Sequence, residues 1–178
     1  MSGGSDAYLG KPIADRPLPA SAQRVQAALD ALGADTRVVE LTISARTAQE
    51  AADALGVEVG QIAKSLVFRA PASGRAVLVI AAGDRRVSES KVGALLGEPI
   101  ERAPAAFVRE HAGYAIGGIP PVAHASAMAV FVDATMRRFP VVWAAGGTPH
   151  AVFPIAPDRL FAIAGGTLGG VVEVSAGA

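Results

Sequence analysis

Cysteine is absent from this chain of 178 residues, and its absence excludes several kinds of chemistry at once. Without a thiol there is no disulfide, no thiolate ligand for zinc and no cysteine nucleophile. The histidines His111, His124 and His150 are separated by intervals that match no compact zinc motif. We therefore predict no metal and no other cofactor, and we expect a cytoplasmic protein.

Aromatic residues, net charge and long apolar runs are also scarce. Aromatic side chains make up 5% of the sequence, and 16 basic residues cancel 16 acidic ones. Zero net charge excludes a general attraction for nucleic acid, although a local basic patch around a cleft is still allowed. No apolar run reaches the ~20 residues of a membrane-spanning helix, so no membrane partner is predicted. With 51% hydrophobic residues, the chain can bury a core as one domain.

Local signals predict helices first and strands later. Glycine and proline make residues 1–20 a loosely ordered leader, and the domain is predicted over 21–176. Capping and proline signals predict helices over 21–33, with Ser21 as cap, and over 47–56, 59–62, 88–96, 104–111 and 157–161. Gly165-Gly166 and Gly169-Gly170 indicate a flexible tail.

Apolar runs predict the strands, at 38–41, 64–70, 76–81, 116, 128–132, 141–144, 151–155 and 171–174. The second and third of these runs are separated by Pro71-Ala72-Ser73-Gly74, which is typical of a hairpin. Helices and strands do not alternate strictly. The pattern therefore favours an α+β fold, a single compact domain with a mixed, mainly antiparallel, curved sheet flanked by helices.

One lysine lies where a charged side chain is costly. Lys64 belongs to the apolar run 62–68 at the start of a predicted strand. Long charged side chains are rarely buried unless they are paired. The ammonium therefore either reaches solvent along the strand or points into a pocket, where it would anchor a phosphate or a ribose hydroxyl.

Two glycine-rich turns follow in the second half of the chain. In the first, Gly117-Gly118 precedes Ile119-Pro120, and in the second, Gly146-Gly147 precedes His150. Successive amides in such turns can form an anion-binding nest or an oxyanion hole. The alternative is an ordinary tight turn. Neither turn is a P-loop, because no Gly-Lys-Ser/Thr follows.

Other candidates have simple structural interpretations. Asp133 follows an apolar strand and is most simply a helix cap, with a carboxylate facing the site as the alternative. Lys91 belongs to a solvated helix face. A weak nucleic-acid signal comes from basic residues whose arrangement the sequence does not reveal: Arg69, Arg85, Arg86, Arg137 and Arg138.

Taken in order, these segments resemble the YbaK family, also called the prolyl-tRNA-synthetase-associated editing domain. The segments are 47–56, 61–68, 83–88 with Lys91, 113–121, 130–133, 145–150 and 157–160. The resemblance covers roughly residues 21–163. It implies a mixed, barrel-like sheet and hydrolysis of the ester that joins a wrong amino acid to the 3′ end of tRNA, commonly tRNA for proline. The implied partners are the aminoacylated tRNA end and a synthetase, and the chain is too short to be a synthetase itself.

The resemblance also implies roles for individual residues. Lys64 would anchor the 3′ end, while the amides of Gly117, Gly118 and Gly146 would polarise the ester carbonyl. Water or a ribose hydroxyl would attack, so no protein nucleophile is needed. Expected substrate-binding residues are Ser65, Ile119, Pro120, Asp133, Gly147 and His150, and expected tRNA contacts are Arg69, Arg85, Arg86 and Lys91.

One position departs from the family pattern. Some members have serine where this chain has Ala145, so a hydroxyl contact with the substrate is missing. Two alternatives to a deacylase therefore stay open. One is a catalytically silent module that binds tRNA or a synthetase, and the other is a hydrolase of small esters or amides.

Overall fold

A long β-hairpin lies at the centre of the fold. The computed structural model describes residues 6–174, so the predicted leader residues 1–5 and domain residues 175–176 lie outside the described part. Strands β2 (Ile62–Ala70) and β3 (Arg75–Ala82) pair antiparallel from Ala63↔Ala82 to Ala70↔Arg75. The proline- and glycine-containing turn between them is the one that the sequence predicted. Every residue of β3 after Arg75 is buried, which explains its continuous apolar run.

The other strands extend this hairpin into one mixed sheet. They are β1 (Val39–Glu40), β4 (Glu101–Arg102), β5 (Ala129–Asp133), β6 (Val142–Ala145), β7 (Ala151–Ile155) and β8 (Thr167–Gly169). The order is β1-β7-β6-β2-β3-β5-β8, with β4 also paired to β2. The β2–β6, β3–β5 and β5–β8 pairs are parallel and the rest are antiparallel. The predicted mixed α+β domain is confirmed, although within residues 6–174 the sheet is open and not closed into a barrel.

Helices cover both faces of this sheet. They are α1 (Ala20–Ala31), α2 (Ala48–Leu55), α3 (Glu89–Leu96), α4 (Ala105–Ala112) and α5 (Pro157–Ala164). Two predicted caps are present, since Thr47 accepts a hydrogen bond from Glu50 N and Ser88 accepts one from Lys91 N. The predicted Ser21 cap is wrong. Helix α1 begins one residue earlier, after Pro19, and has no side-chain cap.

The C-terminal region differs from the prediction. Gly165-Gly166 and Gly169-Gly170 do not mark a loose tail, because Thr167–Gly169 pairs with β5. A Cβ on Gly166 would lie 2.2 Å from Val130 O, so glycine there allows a close backbone approach. The predicted strand at 171–174 is reduced to an isolated bridge between Val87 and Val172, and residue 116 is in no strand.

The described part of the leader, residues 6–19, contacts the domain. Ala14 N donates to Glu40 O and Thr42 N donates to Pro12 O, each at 2.7 Å. These hydrogen bonds hold the leader beside β1, which is an edge strand of the sheet. The buried carboxylate of Glu40 also pairs with Arg16. These hydrogen bonds to an edge strand thus hold the segment against the sheet, although its composition is rich in glycine and proline.

Candidate functional site

A cavity of about 200 Å³ opens between β2, β6 and the N-terminus of α2. Its wall is mostly apolar and contains many small side chains. Within residues 6–174 its charged lining residues are Lys64 and Arg46 alone, and no carboxylate or imidazole lines it. The lining residues used below are Arg46, Lys64, Ser65, Ile116, Gly117, Ile119, Trp143 and Ala145.

Lys64 is half-buried in this cavity, and its ammonium makes no hydrogen bond or ion pair with the residues that the structure describes. Burial lowers the pKa of Lys64 below its ordinary value, while the charges of Asp84 and Asp133 oppose that shift. Of the two interpretations of the sequence, the pocket is therefore the one observed. An unpaired cation in an apolar cavity is a site for an anionic or carbonyl-bearing ligand.

The pKa of Lys64 should be lower than that of an exposed lysine, because the ammonium is half-buried. A ¹³Cε or ¹⁵Nζ NMR titration is expected to give a pKa below the ordinary lysine value of 10.5. Because the folded state binds this proton more weakly than the unfolded chain does, Lys64 opposes folding at neutral pH, and this cost is relieved as the pH rises through the folded pKa. Asp84→Asn removes a charge that favours the ammonium and should lower the Lys64 pKa further. A midpoint at or above 10.5 would contradict the burial of this side chain.

The two glycine-rich turns pack directly against each other. Gly147 N donates to Gly118 O at 3.0 Å. A Cβ on Gly118 would lie 2.8 Å from the backbone of Thr148, so only glycine allows this contact. The first turn then reaches the cavity through Gly117 and Ile119, and the second reaches it through the preceding residue, Ala145.

The glycine amides do not all face a ligand. Gly118 N donates to Ala115 O at 3.0 Å, and Gly146 N donates to Ala151 O at 2.7 Å. The expectation that these two amides polarise a carbonyl is wrong, because each already donates its hydrogen bond within the chain. Gly117 lines the cavity, and its amide donates to no acceptor among the described residues. It is the one amide of the expected three that is left for a substrate oxygen.

Ser65 contributes to the cavity wall, but its hydroxyl is oriented differently from the Lys64 ammonium. Successive residues of a strand face opposite sides of the sheet, so a cavity-facing Lys64 directs the Ser65 side chain towards the core. The Ser65 hydroxyl is buried and has no hydrogen-bond partner within residues 6–174. A buried hydroxyl in this state lowers the stability of the fold.

Ser65→Ala is therefore expected to stabilise the protein, by about 1 kcal/mol in the free energy of unfolding, because an unsatisfied hydroxyl is removed. Urea unfolding measures the change. The control is Ser73→Ala, since the Ser73 hydroxyl is exposed and bonded to Glu98. If Ser65→Ala instead loses substrate binding and its stability is unchanged, the hydroxyl contacts the substrate, as the family resemblance implies.

Besides Gly147, which is bonded to the first turn and does not line the cavity, three other expected substrate contacts lie away from the cavity wall. The Asp133 carboxylate is fully buried and accepts hydrogen bonds from Ala82 N, Thr135 N and Thr135 Oγ1 at 2.9–3.0 Å. It caps a 3₁₀ helix and does not face the cavity, so the cap interpretation holds. Pro120 is buried and accepts a bond from His124, whereas His150 is exposed. None of the three lines the cavity.

The expected tRNA contacts do not form one basic patch at the cavity. Arg69 pairs with Glu101 at 2.6 Å, and Arg86 pairs with Glu173 at 3.7 Å. Arg85 lies 3.9 Å from Asp84, and Lys91 donates to Val172 O at 2.9 Å. Each therefore has a partner within its own neighbourhood, and none lines the cavity.

Sequence reasoning missed Arg46 and Trp143. Arg46 is exposed at the cavity, immediately before the Thr47 cap, and its side chain has no hydrogen bond or ion pair in the part of the chain that the structure describes. The α2 N-terminus beside it also favours a negative group. The one sequence signal for Arg46 was its position before a helix cap. The one signal for Trp143 was that it is the single tryptophan of the chain.

This arrangement can bind an anionic ligand and polarise its carbonyl group. Lys64, Arg46 and the α2 N-terminus attract negative charge, and Gly117 N can donate to a carbonyl or oxyanion. The apolar wall accommodates a small uncharged group. An already activated ester needs little more than such positioning for water or a substrate hydroxyl to attack it.

Comparison with known proteins agrees with this chemistry. The family model described as the aminoacyl-tRNA editing domain matches residues 42–163, which include the whole cavity wall. The chain belongs to the aminoacyl-tRNA editing domain family. The predicted YbaK-type membership is thereby confirmed.

Two solved structures share the fold, and one further protein is similar in sequence. One protein, described provisionally as a trans-editing enzyme for prolyl tRNA synthetase, is 45% identical with a TM-score of 0.82, over 89% of this chain and 100% of that one. The hypothetical protein APE2540 is 31% identical with a TM-score of 0.78, over 84% and 99% of the two chains. The uncharacterized protein YwhH of Bacillus subtilis (strain 168) is 30% identical over 57% of this chain, which spans 64% of YwhH.

Two further features are absent from residues 6–174. No described helix is long and apolar enough to cross a bilayer. No group of three or more histidine, aspartate or glutamate side chains in that range is arranged to hold a metal ion.

Proposed function

We propose that this editing domain is a deacylase that acts in trans, in the cytoplasm, on mischarged tRNA, with tRNA for proline as the first candidate. The observation that carries the proposal is the half-buried ammonium of Lys64, unpaired among the described residues, in an apolar cavity of about 200 Å³. The terminal phosphate or ribose supplies its missing partner, and the aminoacyl group occupies the apolar part.

The substrate is oriented by three groups. Lys64 and Arg46 hold the 3′ end, and Gly117 N donates to the ester carbonyl and then to the oxyanion. Water attacks the carbonyl carbon and the bond from that carbon to the ribose oxygen breaks. A proton of the water passes, directly or through the neighbouring ribose hydroxyl, to the ribose oxygen that leaves with the tRNA, and the amino acid is released as its carboxylate. The small volume admits a small uncharged amino acid and excludes larger ones by clash, at about 1–3 kcal/mol per methylene.

The experiment is deacylation of a panel of tRNA for proline charged with alanine, serine, cysteine, valine or leucine. We expect turnover of the esters of small amino acids and little turnover of the leucyl ester. Equal hydrolysis of all five esters would contradict selection by cavity volume. No hydrolysis of any of them would remove the deacylase proposal.

The second candidate is a binding module without catalysis, with tRNA or a synthetase as its partner. The hydrogen-bonded amides of Gly118 and Gly146 and the missing hydroxyl at Ala145 favour it, because they leave Gly117 N as the carbonyl donor. Salt-dependent tRNA binding with an intact ester would select this candidate. Hydrolysis of free aminoacyl esters without tRNA binding would select a small-ester hydrolase.

Arg46 should act on affinity more than on chemistry. Arg46→Gln is expected to raise KM roughly tenfold with kcat nearly unchanged, and to lower the salt slope of tRNA binding by about 0.7 if one single-strand phosphate contact is lost. Arg37→Gln is the matched control, because Arg37 is also exposed but does not line the cavity. An equal effect of both substitutions would make Arg46 a general surface charge.

A further inference from the structure

Trp143 connects the cavity to the N-terminal leader. It is the one tryptophan of the chain and lies on β6, in register with Ile62 of β2 and Pro154 of β7. Trp143 lines the cavity and is 3% exposed. Any movement of this ring therefore changes the shape of the space that receives the ligand.

Two leader side chains contact that same ring. Tyr8 meets it edge-on, with ring centroids 6.0 Å apart and an interplanar angle of 85°. The ammonium of Lys11 lies 5.9 Å from the ring centroid. Both geometries are favourable for an indole, the first as a T-shaped aromatic pair and the second as a cation–π contact.

The leader residues are themselves held by backbone groups. The Tyr8 hydroxyl donates to Arg37 O at 2.6 Å and accepts from Arg37 N at 3.0 Å. The Lys11 ammonium donates to Leu55 O, at the end of α2. Tyr8 and Lys11 thus connect the Trp143 ring to the segment before β1 and to the end of α2. The leader that supplies them lies outside residues 42–163, which match the family model.

We propose that Tyr8 and Lys11 are positioning residues that hold Trp143 in the cavity wall, so that the leader sets which amino acids the cavity accepts. The statement about selectivity rests on the proposed deacylase function, whereas the statement about ring position does not. Removing either contact frees the ring to rotate, and the cavity then tolerates a larger aminoacyl group.

The first test needs no substrate. Tyr8→Leu and Lys11→Met are made in the full chain, with Leu9→Ala as control, because Leu9 lies between them in sequence and is 69% exposed. Because Trp143 is the lone tryptophan, fluorescence excited at the red edge of indole absorption, where tyrosine does not absorb, is specific for this ring. We expect red-shifted emission and a roughly twofold or greater rise in acrylamide quenching for the two variants, since such an aromatic pair biases ring position about 2- to 10-fold. Tyr8→Phe, which keeps the ring contact but loses the hydroxyl bonds, should fall between them and the wild type.

The second test measures selectivity as the ratio of kcat/KM for an alanyl ester to that for a valyl ester on the same tRNA. This ratio is expected to fall about threefold or more in Tyr8→Leu and Lys11→Met and to be unchanged in Leu9→Ala. A loss of stability alone lowers both rates together and leaves the ratio unchanged. A cooperative thermal transition verifies that each variant is folded.

The outcomes separate the two proposals. Fluorescence equal to that of Leu9→Ala in both variants overturns the positioning of Trp143, whatever the activity. Altered fluorescence with an unchanged ratio overturns the control of selectivity. If the wild type hydrolyses no ester, the deacylase proposal fails, and the role of the leader is decided by fluorescence alone. If Tyr8→Leu does not fold, Lys11→Met, which removes one partly exposed cation, decides the question.

Discussion

Lys64→Met is expected to abolish deacylation and, at the same time, to raise the thermal stability of the protein. The ammonium is half-buried, has no hydrogen-bonding partner within residues 6–174, and has a pKa lowered by burial. A charge in that state costs folding free energy at neutral pH, and methionine of similar length removes the cost. Loss of a preorganised charge at the reacting end costs about 100-fold or more in kcat.

The measurements are single-turnover deacylation and thermal unfolding of the same preparations. Lys91→Met is the matched control, because Lys91 donates to Val172 O and does not line the cavity. Lys64→Arg keeps the charge but changes its shape and length, so only partial recovery is expected. Unchanged turnover in Lys64→Met would remove Lys64 from the mechanism, and reduced stability would contradict the cost assigned to its burial.

Gly117→Ala is expected to reduce kcat by about 100-fold, the cost of displacing an oxyanion donor. Gly117 has a φ of +93°, and an added Cβ would lie 2.6 Å from Arg46 Cγ and 3.1 Å from Arg46 O. The substitution therefore displaces both the amide that we propose as the oxyanion donor and the neighbouring cation. Alanine in left-handed backbone also costs about 1–2 kcal/mol of stability.

The chain contains a matched control for this substitution. Gly97, at the end of α3, has the same φ of +93°, and no atom lies within 4 Å of a Cβ added there. Gly97→Ala should therefore lose similar stability and retain full activity. Deacylation kinetics and urea unfolding of both variants separate backbone strain from the site itself. Equal activity of the two variants would show that the Gly117 amide is dispensable.

Local signals accounted for most of the secondary structure, because their physical causes are local. The Thr47 and Ser88 caps satisfy amides within their own first turns, and the β2–β3 hairpin is defined by its turn and two apolar runs. The exceptions depend on distant residues. Strand β8 forms among glycines because Gly166 approaches the backbone of Val130, a contact that the sequence around Gly166 does not predict.

The candidate site was predictable in its main cation and in the meeting of its two turns. Lys64 was identifiable as a charge in an apolar strand, and the glycine pairs were identifiable as sites of close backbone approach. Which amides remain available was not predictable, since the acceptors of Gly118 N and Gly146 N are defined only by the folded turns. Arg46 and the leader contacts to Trp143 likewise come from residues far from Lys64 in sequence.

The most direct measurement is a crystal structure of the protein with a non-hydrolysable amide analogue of 3′-alanyl-adenosine monophosphate. The account predicts that the alanyl group occupies the cavity, with Lys64 Nζ within about 3.2 Å of a ribose or phosphate oxygen and Gly117 N at a similar distance from the carbonyl oxygen. An analogue bound elsewhere, or an ammonium with no ligand oxygen within about 4 Å, would contradict the account.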